Sequence, residues 1–161
     1  MSNSISFGSA EDRLRELGIE LPPAPAPLGA YVEAVQTGDL LFLSGMLPIA
    51  GGKPQFLGRL GAELDDKAGY EATRMATLNA LAVVKHRLGS LDRVTKIVRT
   101  TVYLATEGDS VNQPRVADGA SELLRDIFGT ERMSTRMVLG AASIPLNLPV
   151  VLDLLFEVKS A

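Results

Sequence analysis

Residues 65–89 read DDKAGYEATRMATLNALAVVKHRLG, and this stretch decides the fold class. Ala68, Ala72, Met75, Leu78 and Ala82 recur at three- and four-residue spacing, broadened by Leu81, which is the signature of one apolar face on a helix. Asp65 or Asp66 suits the positive helix N-terminus, the basic run Lys85-His86-Arg87 suits the last turn, and Gly89 is placed to stop it. A helix of this length with so many small apolar residues belongs in a core. Whatever it packs on must lie in the flanking sequence.

Upstream, Tyr31 to Val35 and Leu40 to Ser44 read as two strands reversed at Thr37-Gly38-Asp39, a hairpin. The loop after Gly45 contains Pro48, Gly51-Gly52 and Pro54, with the glycine pair read as a turn. Downstream, Lys96 to Ala105 is a mostly apolar strand, Gln113 to Phe128 a second helix closed by Gly129, and Thr135 to Ala141 and Pro149 to Val158 two final strands around a turn with Pro145 and Asn147. Ser9 caps a short helix over Ala10 to Leu17, stopped by Gly18. The prolines of residues 21–27 cannot donate backbone hydrogen bonds, so that segment is expected to run extended as a strap. The order is β-β-α-β-α-β-β after a short leading helix: an α/β (α+β) chain with a mixed sheet and two main helices on one face. The domain division expected is 1–27, a short helix with a Pro-rich strap, and 28–161, one domain. Strands this apolar leave a second sheet face that needs cover, so an oligomer is expected.

Composition narrows the chemistry. With 161 residues, 46% hydrophobic, one compact domain is the default. Sixteen basic against 19 acidic residues give a net charge of -3, the opposite of a nucleic-acid-binding surface. Cysteine is absent, which excludes disulfides and thiolate catalysis and fits a reducing compartment. Met1 to Ala10 lacks the basic start and apolar stretch of a secretory signal, and no apolar run approaches the ~20 residues that span a bilayer, so a soluble cytoplasmic protein is expected. One histidine, His86, in a basic last helical turn reads as a solvated helix end, and without cysteine an ordinary Zn or Cu site is not expected. Asp65-Asp66 reads as a helix start and Glu122 as a solvated helix face, so no pair of carboxylates stands out.

Arg136 does stand out. From Met137 to Leu152 no side chain is charged. A guanidinium does not deprotonate, so among Met137, Val138 and Leu139 it needs an acceptor: Asp153 on the following strand, solvent at an exposed strand end, or an anionic ligand.

Two segments carry a family resemblance. Leu28-Gly29-Ala30-Tyr31-Val32-Glu33-Ala34-Val35, continuing through Gly38-Asp39-Leu40-Leu41-Phe42-Leu43-Ser44-Gly45-Met46-Leu47-Pro48, resembles the opening hairpin of the RidA (YjgF) family, often labelled endoribonuclease L-PSP. Ser134-Thr135-Arg136-Met137-Val138-Leu139-Gly140, followed by Ile144-Pro145, is similar to its closing segment. Together they span Leu28 to Val158, and the leading helix and strap resemble a longer branch.

The resemblance implies a chorismate-mutase-like fold, a homotrimer with ligand clefts between subunits, and hydrolysis of enamines and imines such as 2-aminoacrylate to a 2-keto acid and ammonia, without metal or cofactor. It assigns Arg136 to the substrate carboxylate and Tyr31, Ser44, Gly45 and the Val138 backbone to the cleft. RNA cleavage, a label some relatives carry, finds no basic-aromatic patch here. Two positions depart from the family pattern. Met46 stands where the family has a glutamine. Val151 stands where it has the glutamate that positions water, and valine can neither orient water nor exchange a proton. Asp153, two residues on, shares that face but lies about 7 Å along the strand. The resemblance therefore implies either a weakened deaminase-like hydrolase or a trimeric module that binds 2-keto acids without turnover.

Overall fold

The computed structural model describes residues 8–109 and 111–160, so Met1 to Phe7 of the N-terminal segment read above lie outside the described residues. The long helix forms as α2, Asp66–Leu88, with the Asp65 side chain accepting from the Ala68 N–H at 2.8 Å and Gly89 at φ 82 ending it. Its buried face is not centred where the periodicity placed it. Met75 and Leu78 lie half-buried on the flank, while Ala72, Thr73, Ala76, Thr77, Asn79 and Ala80 are buried. Small residues take the centre because a second helix, α3 (Gln113–Phe128), comes very close. A Cβ added to Gly119 of α3 would sit 2.3 Å from the Tyr70 carbonyl oxygen, so only glycine permits this crossing. The Thr73 and Thr77 hydroxyls donate to the Gly69 and Thr73 carbonyls at 2.8 Å, which lets them be buried without orphaned groups.

Both helices lie on one face of a five-stranded mixed sheet ordered β1-β2-β7-β5-β6, formed by β1 (Ala34–Thr37), β2 (Leu40–Leu43), β5 (Val94–Ala105), β6 (Thr135–Ala141) and β7 (Val150–Val158). β6 runs parallel to β5 because the chain returns between them through α3, and the other neighbouring strands are antiparallel. The first strand starts at Ala34 rather than Tyr31. Residues 51 and 52 turn a small extra hairpin, β3 (Ile49–Ala50) with β4 (Lys53–Pro54), using φ of 56° and 73° that favour glycine. Leu41, Val102, Leu104, Leu152, Leu154 and Phe156 point beneath the helices and are fully buried. Alternation sends their neighbours to the opposite face, where Phe42 is 39% and Met137 54% exposed.

The short leading helix, α1 (Ala10–Glu16), carries a capping box between Ser9 and Asp12. It docks through Glu11, whose carboxylate accepts from Lys85 Nζ at 2.7 Å and the Leu91 N–H at 2.9 Å. Burial alone would raise the Glu11 pKa, but the hydrogen bonds from Lys85 and Leu91 more than offset it and hold the carboxyl below its usual value. Ile19, just after α1, and Leu21 and Ala24 of the strap then pack on the main core. Among the described residues no helix is long and apolar enough to cross a membrane.

Candidate functional site

The strap ends beside the start of the hairpin, and together they form a groove bordered by residues 25–28, Tyr31, Glu33, residues 44–47 and Ile49. Local hydrogen bonds fix its walls. The Leu28 N–H donates to Tyr31 Oη at 3.0 Å, which leaves the phenol's own hydrogen to donate elsewhere. Ser44 donates its hydroxyl to the Val32 carbonyl at 2.6 Å and its N–H to the Glu33 carbonyl at 2.9 Å. Asn79, buried on α2, donates to the Leu47 and Ile49 carbonyls, both at 2.8 Å, and so pins the groove's loop to the core helix.

Gly45 is dictated by packing. A Cβ there would lie 2.9 Å from Val151 Cγ2, inside van der Waals contact. Val151 is half-buried against a second, small apolar cluster of Ala105, Ile144 and Leu148. Met46 pairs its backbone with Leu152, and at 4% exposure its side chain belongs to the main core. Met46 thus borders the groove while its thioether packs inward with the core, so it does not present a flexible side chain to the groove.

Arg136 and Val138 lie elsewhere. Both are on β6, the opposite edge of the sheet, opposite Thr100 and Val102 of β5. β7 and β5 separate β6 from β2, three strand spacings or about 14 Å. In one chain, therefore, the groove beside β2 and the cation on β6 lie apart.

Arg136 does not pair with Asp153, which bonds Arg99 Nη2 at 3.1 Å. Consecutive β6 and β7 are not neighbours, because β5 lies between them. Instead Arg136 Nη1 donates to Asp118 Oδ1 at 2.7 Å and to Ser121 Oγ at 3.2 Å, both on α3, and its side chain stays 29% exposed. The ion pairs continue along the helix. Arg115 lies 3.6 Å from Asp118 and 2.9 Å from Glu122, and its guanidinium sits 4.7 Å from the centre of the Tyr70 ring. Glu122 is not a simply solvated residue, since the Tyr70 hydroxyl donates to it at 2.6 Å. That hydrogen bond raises the tyrosine pKa and holds the Glu122 carboxyl below its usual range.

The sequence reading missed Asp118, Ser121 and Asn79, and it did not foresee that Glu33 and the strap would border the groove. Asp118 and Ser121 are three residues apart on α3, hence on one face, and that spacing was the available signal. Their partner depended on α3 crossing over β6. His86 is exposed at the end of α2. Among the described residues no cluster of three or more His, Cys, Asp or Glu is arranged to hold a metal ion.

A mixed sheet with two helices on one face is an architecture shared with known proteins. The profile of the family described as "YjgF/chorismate mutase-like, putative endoribonuclease" matches residues 11–158, and the chain belongs to that family. A crystal structure of a "putative endoribonuclease" from Shewanella oneidensis superposes with a TM-score of 0.89 at 37% identity, covering 94% of this chain and 100% of that one. Protein TCP17 of Trypanosoma cruzi is 34% identical over 157 residues, 97% of this chain and 98% of that protein. The "putative reactive intermediate deaminase TdcF" of Escherichia coli K12 is 26% identical over 145 residues, 89% of this chain and 97% of its own.

Proposed function

We propose that this protein is a RidA-like, cofactor-independent hydrolase of small carboxylate-bearing imines and enamines of the 2-aminoacrylate type, working in the cytoplasm as a homotrimer whose clefts lie between subunits. The observation that carries the reading is the division of the site. The groove with Tyr31, Ser44 and Gly45 and the cation Arg136 occupy opposite edges of one sheet, which supports a site completed by a second copy. The exposed apolar residues Phe42, Met137 and Leu139 on the uncovered sheet face support such an assembly. The name of the 26% identical Escherichia coli relative supports the reaction class.

In this reading Arg136 binds the substrate carboxylate, and the Tyr31–Gly45 groove of the neighbouring copy receives the imine end, with the Val138 backbone beside Arg136. Water adds its oxygen to the imine carbon and a proton to the nitrogen. The hydroxyl proton of the resulting carbinolamine then passes to the nitrogen as the C–N bond breaks and the C=O bond forms, releasing ammonia and leaving the 2-keto acid. Val151 contributes no polar group to the attacking water, so turnover is expected about a hundredfold or more below that of a site with a carboxylate there. Semicarbazide trapping of the keto acid formed from 2-iminopropionate tests this. Wild type should exceed the uncatalysed rate, Arg136→Ala should not, and Val151→Glu should gain; a wild type matching the uncatalysed rate would refute the activity.

Val151 also favours a second reading, a trimeric module that holds 2-keto acids without turnover. Calorimetry with 2-ketobutyrate would then show binding in wild type, none in Arg136→Ala, and no trapped product from the imine.

A further inference from the structure

An arginine has five N–H donors, and how they are shared determines what it can bind. Both Nη1 hydrogens of Arg136 have acceptors in this chain, Asp118 Oδ1 at 2.7 Å and Ser121 Oγ at 3.2 Å. Among the described residues Nε and Nη2 make no hydrogen bond. Their two N–H groups on one edge form the parallel fork that matches the two oxygens of a carboxylate. Charge is constrained as well. Arg136, Asp118, Arg115 and Glu122 form one chain of ion pairs, two cations against two anions. The field at the fork is that of a balanced cluster, so a second negative charge on a ligand gains little from it.

We propose that Asp118, helped by Ser121, is the positioning residue of the site. It fixes Arg136 through Nη1, presents only the Nε/Nη2 edge, and restricts the ligand to a planar, singly charged carboxylate in preference to phosphate or a dicarboxylate. This rests on the carboxylate-binding reading above and adds the group that sets its geometry and charge selectivity. Asp118 is partly exposed on a helix, where alanine is well tolerated, so Asp118→Ala is expected to fold.

Two measurements on the full-length protein test it. In nitrogen-15 NMR without ligand, the Arg136 guanidinium, assigned by its loss in Arg136→Lys, should show separate Nη1 and Nη2 resonances in wild type that merge in Asp118→Ala. Merged resonances in wild type would overturn the hold by Asp118. In calorimetry, Asp118→Ala should bind 2-ketobutyrate about three- to tenfold more weakly, the order of effect expected from freeing one rotamer-rich side chain. The same variant should bind inorganic phosphate or 2-ketoglutarate more tightly than wild type does, because the arginine charge is no longer offset. Asp118→Asn, which keeps an acceptor and removes the charge, should bring 2-ketobutyrate affinity to the wild-type level or above while keeping the relaxed selectivity. Unchanged affinity and selectivity in Asp118→Ala would refute the proposal. A wild type that binds no 2-ketobutyrate would instead refute the carboxylate site itself, and the NMR result would still decide whether Asp118 holds Arg136.

Discussion

The two faces of the sheet are built from similar residues and meet different fates. Beneath α2 and α3, Leu41, Leu104, Leu152 and Phe156 are fully buried, while one position along each strand Val35, Phe42 and Leu139 remain exposed. Period-two alternation normally separates apolar from polar, and here the second face keeps several large apolar residues beside polar ones such as Asp153. The helix-covered face folds the chain, and the other face is left uncovered in the single chain; in the proposed trimer it is the face that assembles.

The sharpest test of that contrast pairs two phenylalanines. Phe156→Ala should cost about 3–5 kcal/mol in urea unfolding, because it empties a packed core position. Phe42→Ala, measured on the isolated chain, should cost about 1 kcal/mol or less; equal losses would break the distinction between the faces. Next in size, Asn79→Ala should cost about 1–3 kcal/mol, since it strips the donors from two loop carbonyls. It should also weaken ligand binding by loosening the groove, where Asn79→Gln is a less disruptive comparison.

Acid acts on the helix side. Glu11 and Glu122 have lowered folded pKa values, so each contributes stability above its unfolded value of about 4.3 that is lost as pH falls through the lower folded value. Tyr70 has a raised value, so its contribution is complete below about 10 and is lost as pH rises through the higher folded value. Glu11→Gln should flatten part of the acid limb of the stability–pH curve, with amide exchange in α1 as the local readout. The smallest effect on chain stability is expected from Met137→Asp on the open face, within about 0.5 kcal/mol. Light scattering should nevertheless show it shifted towards monomer, and an unchanged mass would argue against assembly through that face.

Much of this architecture can be read from local pattern. The second helix runs from Gln113 to Phe128 as expected, since Asn112 caps it, Pro114 suits its first turn and Gly129 closes it. What escaped depends on which elements become neighbours. Asp153 was a reasonable partner for Arg136 as long as β6 and β7 paired as a hairpin. The insertion of β5 between them sends Asp153 to Arg99 and leaves Arg136 to α3. Likewise the large residues of α2 marked the helix but not its most buried line, because the close crossing at Gly119 favours small side chains. At the site, the motif residues Tyr31, Ser44 and Gly45 do share one groove. Their distance from Arg136 could not be read from a linear pattern, because it follows from strand order.

The contact between Gly45 and Val151 makes what each position can hold depend on the other. Valine branches at Cβ, and its Cγ2 fills the space that any side chain at 45 would need. Beside this valine, alanine at 45 would force the Val151 side chain or its strand to shift. Glutamate at 151 is unbranched at Cβ, so it would withdraw that methyl while bringing in a carboxylate. In the proposed reaction Val151→Glu is therefore accommodated beside Gly45, whereas Gly45→Ala requires Val151 or its strand to move first.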